Sequence, residues 1–171
     1  IMHKQENVGA VELATMSFGQ SFQLSPIRML TSVCMIINGG RKITPHFGMY
    51  AVNSDKTQMK KMSYSSGKAV LDASVSEEIR KALEKVVSEG GGKKAGVEGF
   101  FIGGKTGTSQ KLPRGSGKYI ASCIGFSPVE NPSVIAMVRI DEPQGLYYGG
   151  VIAAPAISTL YTNILPYLLK E

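Results

Sequence analysis

The chain predicts an α/β fold, an antiparallel sheet flanked by helices, on three observations. Three β-like runs follow one another in the second half: Phe100 to Thr108, Tyr119 to Phe126 and Val134 to Ile140. The last two are joined by Glu130-Asn131-Pro132-Ser133, a connection of hairpin length containing proline, which makes them adjacent and antiparallel. Both are apolar on successive residues, the pattern of a sheet covered on both faces. Helical periodicity fills much of the first ninety residues and returns in an apolar C-terminal stretch. The C-terminal helix is therefore expected on one face of the sheet and the earlier helices on the other.

The elements follow in order. From Val11 to Asn38 apolar residues recur at helical spacing, broken at Ser25-Pro26, where serine caps and proline takes the first helical position of a second helix. That helix runs from Pro26 to about Asn38 and stops at Asn38-Gly39-Gly40. Lys42 to Val52 reads as a short extended segment interrupted by Pro45 and Gly48, and Met59 to Val70 as a polar, turn-rich, hairpin-like stretch. A clear helix comes next. Ser74 or Ser76 is its expected N-cap, Glu77-Glu78 suit the positive end of its dipole, and Ile79, Leu83, Val86 and Val87 form its apolar stripe before Gly90-Gly91-Gly92. The final helix extends from around Ala153-Ala154-Pro155 to Leu165 and is apolar enough to pack on the sheet. There are no internal repeats.

Composition bounds the function. With 171 residues and 43% hydrophobic content the chain can bury a sizeable core in one domain, which excludes general disorder. The scattered glycines and prolines exclude a collagenous repeat. A net charge of +6 permits an anionic partner. The basic residues are spread in twos and threes (Lys60-Lys61, Lys93-Lys94, Lys111 to Arg114) without interleaved aromatics, so nucleic acid is not an expected partner. Cys34 and Cys123 each sit in an apolar run and read as small core residues. With His3 and His46 the only histidines, no metal cluster is expected, no cofactor is implied, and little room is left for a Ser-His-Asp triad. No apolar stretch reads as a membrane span, and Ile1 to Glu6 lacks the apolar core of a signal peptide, so any targeting segment is expected outside this chain.

The loudest string is Gly99-Phe100-Phe101-Ile102-Gly103-Gly104-Lys105-Thr106, which satisfies G-x-x-x-x-G-K-[ST] on paper. A phosphate-cradling loop needs a strand before it and a helix starting at the lysine. Here Phe-Phe-Ile occupies the loop itself, and Gly107, Pro113, Gly115 and Gly117 follow, which sustain no helix. Read as a strand, Lys105 and Gly107 lie on one face and Thr106 and Thr108 on the other. A twist or bulge near Gly107 would bring the later side chains round to one cleft.

Lys105-Thr106-Gly107-Thr108 is also the K-T-G element of penicillin-binding proteins and serine β-lactamases. It does not stand alone. Ala14-Thr15-Met16-Ser17-Phe18-Gly19-Gln20 with Ser25-Pro26, Asn38-Gly39-Gly40, Gly104 to Gln110, Gly125-Phe126-Ser127-Pro128 with Asn131-Pro132, and Tyr147-Tyr148-Gly149-Gly150 running into Ala153-Ala154-Pro155 together resemble the class B penicillin-binding protein transpeptidases. The order and spacing look like the C-terminal half of that domain, so residues 1–171 are expected to be the latter part of one β-lactamase/transpeptidase-like domain, with residues 1–13 a linker or an adventitious start. The resemblance implies an incomplete sheet and apolar surface exposed at the missing interface.

The departures matter equally. The family's catalysis starts from an S-x-x-K on a helix and an S-x-N, both before the K-T-G strand. Ser65-Ser66-Gly67-Lys68 matches the first only as a string in a polar turn, and Tyr161-Thr162-Asn163 imitates a variant of the second downstream of K-T-G and out of order. Both read as coincidences, and the nucleophile is expected to be absent from this chain.

What the resemblance implies is a serine-type D,D-transpeptidase parent, anchored in the cell membrane with this domain on the extracytoplasmic side. It would act on a peptidoglycan stem peptide or lipid-linked precursor, bind β-lactam antibiotics, and work beside other cell-wall synthesis proteins. By analogy Lys105 organises protons and attracts the substrate's terminal carboxylate, and the backbone N–H of Thr108 is an oxyanion donor, a group worth about 3 kcal/mol in comparable enzymes. Thr106 and Thr108 hydroxyls partner that carboxylate. Gly107 lets a ligand lie close along the strand, and Gln110 with the loop Leu112 to Lys118 flanks the cleft. Tyr147 to Gly150 reads equally as a rim of the site or as a strand-to-helix turn. Arg28 and Met16 to Gln20 read as support, and Glu77, Glu78 and Asp141 as surface or capping charges. A penicillin-sensing or otherwise non-catalytic relative and, more remotely, a nucleotide-binding protein are the alternatives.

Overall fold

The computed structural model describes residues 3–113 and 115–169; Ile1-Met2, Arg114 of the basic run, and the last two positions of the expected 1–171 unit lie outside the described residues. The chain order is α1 (Ala10–Ser17), α2 (Pro26–Ile37), β1 (Tyr50–Val52), β2 (Met59–Lys61), α3 (Ala73–Ser88), β3 (Gly103–Gln110), β4 (Tyr119–Ser127), β5 (Val134–Asp141), α4 (Gly149–Ile152) and α5 (Ala154–Leu168). The three long strands form one antiparallel sheet in the order β3-β4-β5, and β1-β2 is a separate ribbon.

The register shows how successive apolar residues serve two faces. Gly104 pairs with Gly125 and Gly103 with Phe126. A Cβ on Gly125 would touch Ile157 and Tyr161 of α5, 3.0 and 3.3 Å away. The next residue, Phe126, packs on the other side with Ile37 of α2 and Leu83 of α3. Helices thus cover both faces, as expected, with one refinement: α3 serves both clusters, since Val87 joins the α5 side.

The α5 residues turned inward, Ala154, Ile157, Tyr161 and Leu165, are fully buried and recur at three- and four-residue spacing, a core-facing helical stripe. Gly149–Leu168 is, by length and composition alone, long and apolar enough to cross a membrane, which corrects the expectation that no stretch is. Its buried stripe on the sheet makes it the core helix of this fold.

The N-cap of α3 also differs from expectation. The helix begins at Ala73 with Asp72 at the cap position. Ser76 instead lies buried inside the first turn, where its Oγ donates to Ile36 O (2.6 Å) and accepts from Gly39 N–H (3.0 Å). The polar side chain that looked like a cap is spent on tying α3 to the end of α2.

Between α2 and α3, residues 41–68 leave the body as an arm. Its root is held where Val70 N–H donates to Gly40 O, and Gly40 has no room for a Cβ against the backbone of Leu71.

Candidate functional site

The K-T-G strand, β3, is an edge of the sheet, with β4 on one side and no partner on the other among the described residues. A ladder from Gly103–Phe126 to Gln110–Tyr119 runs without interruption, so no bulge near Gly107 brings the later side chains round. Strict alternation follows. Lys105 and Gly107 share one face with Ile124 and Ser122, while Thr106, Thr108 and Gln110 share the opposite face with Cys123, Ala121 and Tyr119. The structure therefore does not bring Lys105 and the two threonines onto one face; they meet only at the open edge.

This continuous strand also removes the nucleotide-loop reading. Residues 103–110 are extended through the lysine, and no helix begins there.

Each candidate has a defined place. Lys105 is exposed and its Nζ donates to Thr106 O at 2.9 Å. Thr106 is half-buried, with its methyl 3.7 Å from where a Cβ on Gly150 would stand. Thr108 is exposed, and its Oγ1 accepts the backbone N–H of Gly149 at 3.1 Å. Gln110, half-buried, ends the strand opposite Tyr119. A Cβ on Gly107 would meet only Ser122 Oγ, at 2.7 Å.

Tyr147-Tyr148-Gly149-Gly150 is the turn into α4, and it also touches the strand. A Cβ on Gly149 would overlap the carbonyl oxygens of Gly107 and Ser122, and one on Gly150 would sit 2.5 Å from Gly91 O. Gly149 lets α4 lie directly on the sheet backbone, and Gly150 lets it lie against the turn that follows α3. Tyr147 stacks on Tyr119, with centroids 3.9 Å apart at 11°, and leans on Tyr148 at 4.5 Å. The hydrogen bond shared with the Tyr147 hydroxyl pushes the Tyr148 phenol above its ordinary value.

Two features escaped the sequence reading. Tyr119 read only as the first residue of a strand; the register that sets it beside Gln110 is a tertiary fact. The second is an ion-pair cluster behind the β3–β4 connection. Lys111 Nζ reaches Glu142 Oε1 at 2.7 Å and Asp141 Oδ1 at 3.1 Å, and Lys118 Nζ reaches Glu142 Oε2 at 3.1 Å. Asp141, read as a surface charge, is thus one arm of a clamp. Its partial signal was the acidic pair 141–142 set against the basic run that starts at Lys111. The hydrogen bond to Glu142 raises the Lys111 ammonium above its usual range, and the same contact holds the Glu142 carboxyl below its own.

The decoys resolve simply. Residues 65–68 lie on no helix, and Gly67 N–H donates to Lys42 O. Tyr161 is buried with its OH donating to Gly125 O, and Asn163 Nδ2 donates to Thr159 O within α5.

The family profile described as "Penicillin binding protein transpeptidase domain" matches residues 1–162. Stage V sporulation protein D of Bacillus subtilis is 40% identical over 98% of this chain and 27% of its own length. The probable peptidoglycan D,D-transpeptidase PenA of Neisseria meningitidis serogroup A is 38% identical over 92% of this chain and 26% of its own. The apo TP domain of Burkholderia pseudomallei penicillin-binding protein 3 superposes with a TM-score of 0.79 at 29% identity, over 98% of this chain and 50% of that one. Penicillin-binding protein 3 of Mycobacterium tuberculosis shares the fold with a TM-score of 0.85 at 22% identity, over 96% of this chain and 40% of that one. The chain spans about a quarter of the length of these two curated relatives.

Proposed function

The chain belongs to the penicillin-binding protein transpeptidase family, and on that premise we propose that residues 1–171 are the latter part of one D,D-transpeptidase domain within a longer cell-envelope protein. The parent cross-links peptidoglycan stem peptides by serine acyl transfer, with its catalytic domain on the extracytoplasmic side of a membrane anchor. β-Lactams occupy the same cleft. This chain supplies the K-T-G wall, and the serine comes from the part of the domain outside it.

The observation that carries this reading is the pairing of an open strand edge with the residues on it. β3 has a free edge among the described residues, and the side chain missing at Gly107 answers no demand of the fold. Its one close neighbour is a serine hydroxyl, which rotates away at little cost. The space above Gly107 is better matched to an extended ligand pairing with the strand from outside.

On that edge the roles divide by face. A serine attacks the D-Ala-D-Ala carbonyl, and charge develops on the carbonyl oxygen, toward which the Thr108 N–H would be aimed. The Thr108 hydroxyl has one proton and two lone pairs. With Gly149 N–H on its oxygen, that proton is left to donate outward to the substrate carboxylate. Lys105, on the opposite face and bonded only to a neighbouring carbonyl, is available to swing to the attacking serine and assist its proton transfer. Thr106 packs behind this row, and Gln110 with the 112–118 loop borders it.

Labelling with a fluorescent penicillin tests the reading. The 171-residue chain is expected to take no covalent label, and the longer protein to take it. Lys105→Ala in the longer protein should slow acylation by at least about 100-fold, the lower range for one positioned proton-transfer group. Labelling of the bare chain, or a Lys105→Ala parent that acylates normally, would overturn it.

A further inference from the structure

Glu142, the first residue after β5, holds φ at +49°, in the left-handed region. Glycine takes that conformation freely and asparagine often, whereas a longer side chain crowds its Cβ against the backbone. The turn alone would be better served by either of those residues. What glutamate adds is reach. Its Oε1 meets Lys111 Nζ at 2.7 Å and its Oε2 meets Lys118 Nζ at 3.1 Å, so one carboxylate grips both ends of the β3–β4 connection. Its backbone N–H donates to Tyr119 O at 2.9 Å, and Lys111 N–H donates to Lys118 O at 2.8 Å, which closes the neck of that connection. A costly backbone conformation kept for the sake of a side chain points to function.

These contacts close a circuit around the end of the K-T-G strand. Lys111 follows Gln110 directly, and its ammonium meets Glu142. From Glu142 the chain runs to Tyr147, whose ring stacks on Tyr119. Two residues further on, Gly149 N–H donates to Thr108 Oγ1, which returns the circuit to β3. Between these joints the two loops are parted by a cavity lined by residues 117–119, 142–145 and Tyr147. The joints at either end therefore set the spacing of the loops. Every contact in the circuit is made within this chain and does not depend on what covers its outer faces.

We propose that Glu142 is a positioning residue for acyl transfer. By gripping Lys111 and Lys118 it fixes the end of β3 on which Thr108 stands, three residues before Lys111. The inference rests on the transpeptidase reading of that edge. The carboxylate touches no substrate; it acts through Lys111 and through the loop that ends at Gly149. An oxyanion donor is effective only while it is held in place beforehand, and a displacement of about 1 Å costs up to about 100-fold in rate.

Acylation of the longer protein by a fluorescent penicillin tests the proposal. Glu142→Gln keeps the size of the side chain and removes its charge. The rate constant at saturating penicillin should fall by roughly 10- to 100-fold with the half-saturating concentration unchanged, the signature of an interaction felt in the transition state. Glu142→Asn suits the left-handed backbone but is too short to reach the lysines. Its melting temperature should equal or exceed that of the unsubstituted protein while its acylation slows to the same extent. Glu77→Gln removes the same charge from an exposed ion pair on α3, where Glu77 meets Lys81 at 2.6 Å, and should leave acylation unchanged. Normal acylation in either Glu142 variant, an equal loss in Glu77→Gln, or slow acylation that only tracks a lowered melting temperature would overturn the proposal and leave the K-T-G assignment standing. An unsubstituted longer protein that takes no label would overturn both.

Discussion

The backbone N–H of Gly149 donates to Oγ1 of Thr108 at 3.1 Å, so the first turn of α4 holds the hydroxyl at the end of the K-T-G sequence from behind. The contact exists because Gly149 lies directly against the carbonyls of Gly107 and Ser122, where any Cβ would overlap main-chain atoms that cannot rotate away. Gly149→Ala is therefore expected to lift α4 from the sheet and destabilise the chain by about 1–3 kcal/mol, the usual cost of overpacking a closed contact. A urea midpoint would measure it. Thr108→Ser should retain the bond, and Thr108→Val should lose it.

Gly107→Ala forms the informative contrast. Its new methyl would displace only the Ser122 hydroxyl, a side chain free to change rotamer, so stability should move by less than about 1 kcal/mol. In the longer penicillin-labelled protein the same methyl should slow acylation, because it stands where the ligand lies. A large loss of stability with unchanged acylation would show that Gly107 serves the fold instead.

Strands, helix order and the K-T-G position were legible from local signals, because alternation, helical spacing and a proline-bearing turn are written in consecutive residues. The helix stop at Asn38-Gly39-Gly40 and the apolar C-terminal helix were legible on the same grounds. What stayed hidden is what the register decides. Ser76, followed by Glu77-Glu78, reads as an N-cap candidate beside Ser74, yet it is buried as a link to α2, since its partners Ile36 and Gly39 lie some forty residues away in the chain. Thr106 and Thr108 could be assigned to a face opposite Lys105, but an absent bulge, which sequence does not announce, decided that they stay there. The Lys111–Glu142 clamp spans 31 residues and had only charge sign to suggest it.

Ser76 offers a direct measure of that hidden link. Its Oγ accepts from Gly39 N–H at 3.0 Å and from Arg80 Nη1 at 3.2 Å, and donates to Ile36 O at 2.6 Å. Arg80 Nη1 also donates to Ile37 O at 2.9 Å. Ser76→Ala removes one oxygen and strands groups on both helices, so a loss of about 1–3 kcal/mol is expected in chemical denaturation. A change within a few tenths would mean that water replaces the hydroxyl.

The clamp at Lys111 should make the 112–118 loop pH-dependent at both extremes. The Glu142 carboxyl is held below its ordinary 4.5, first by Lys111, so its contribution is full above that value and is lost as pH falls through the lower folded one. Lys111 is raised above 10.5, first by Glu142, so its contribution is full below that value and is lost as pH rises through the higher folded one. Amide exchange in the loop, corrected for intrinsic rates, should be flat between these limits and accelerate beyond them. High salt should blunt the effect, because both side chains remain partly open to solvent. Glu142→Gln should remove the acid limb, and an unchanged profile would refute the clamp.

Cys123 reports on the charge of Lys105 from the neighbouring strand. Burial pushes its thiol up to about 11, and the Lys105 ammonium pulls in the opposite direction as the smaller effect. At pH 8 roughly a thousandth of this thiol is ionised, so iodoacetamide should modify it only on unfolding. Because the folded thiol holds its proton above the ordinary 9.0, the unfolded chain ionises first, and stability should begin to fall as pH rises past 9. In a Cys34→Ser background, Lys105→Ala should raise the Cys123 titration further and leave the strand register intact by amide exchange. If the titration does not move, the Lys105 charge is not felt across β3 and β4, and the lysine lies further from the sheet than its 2.9 Å bond to Thr106 O implies.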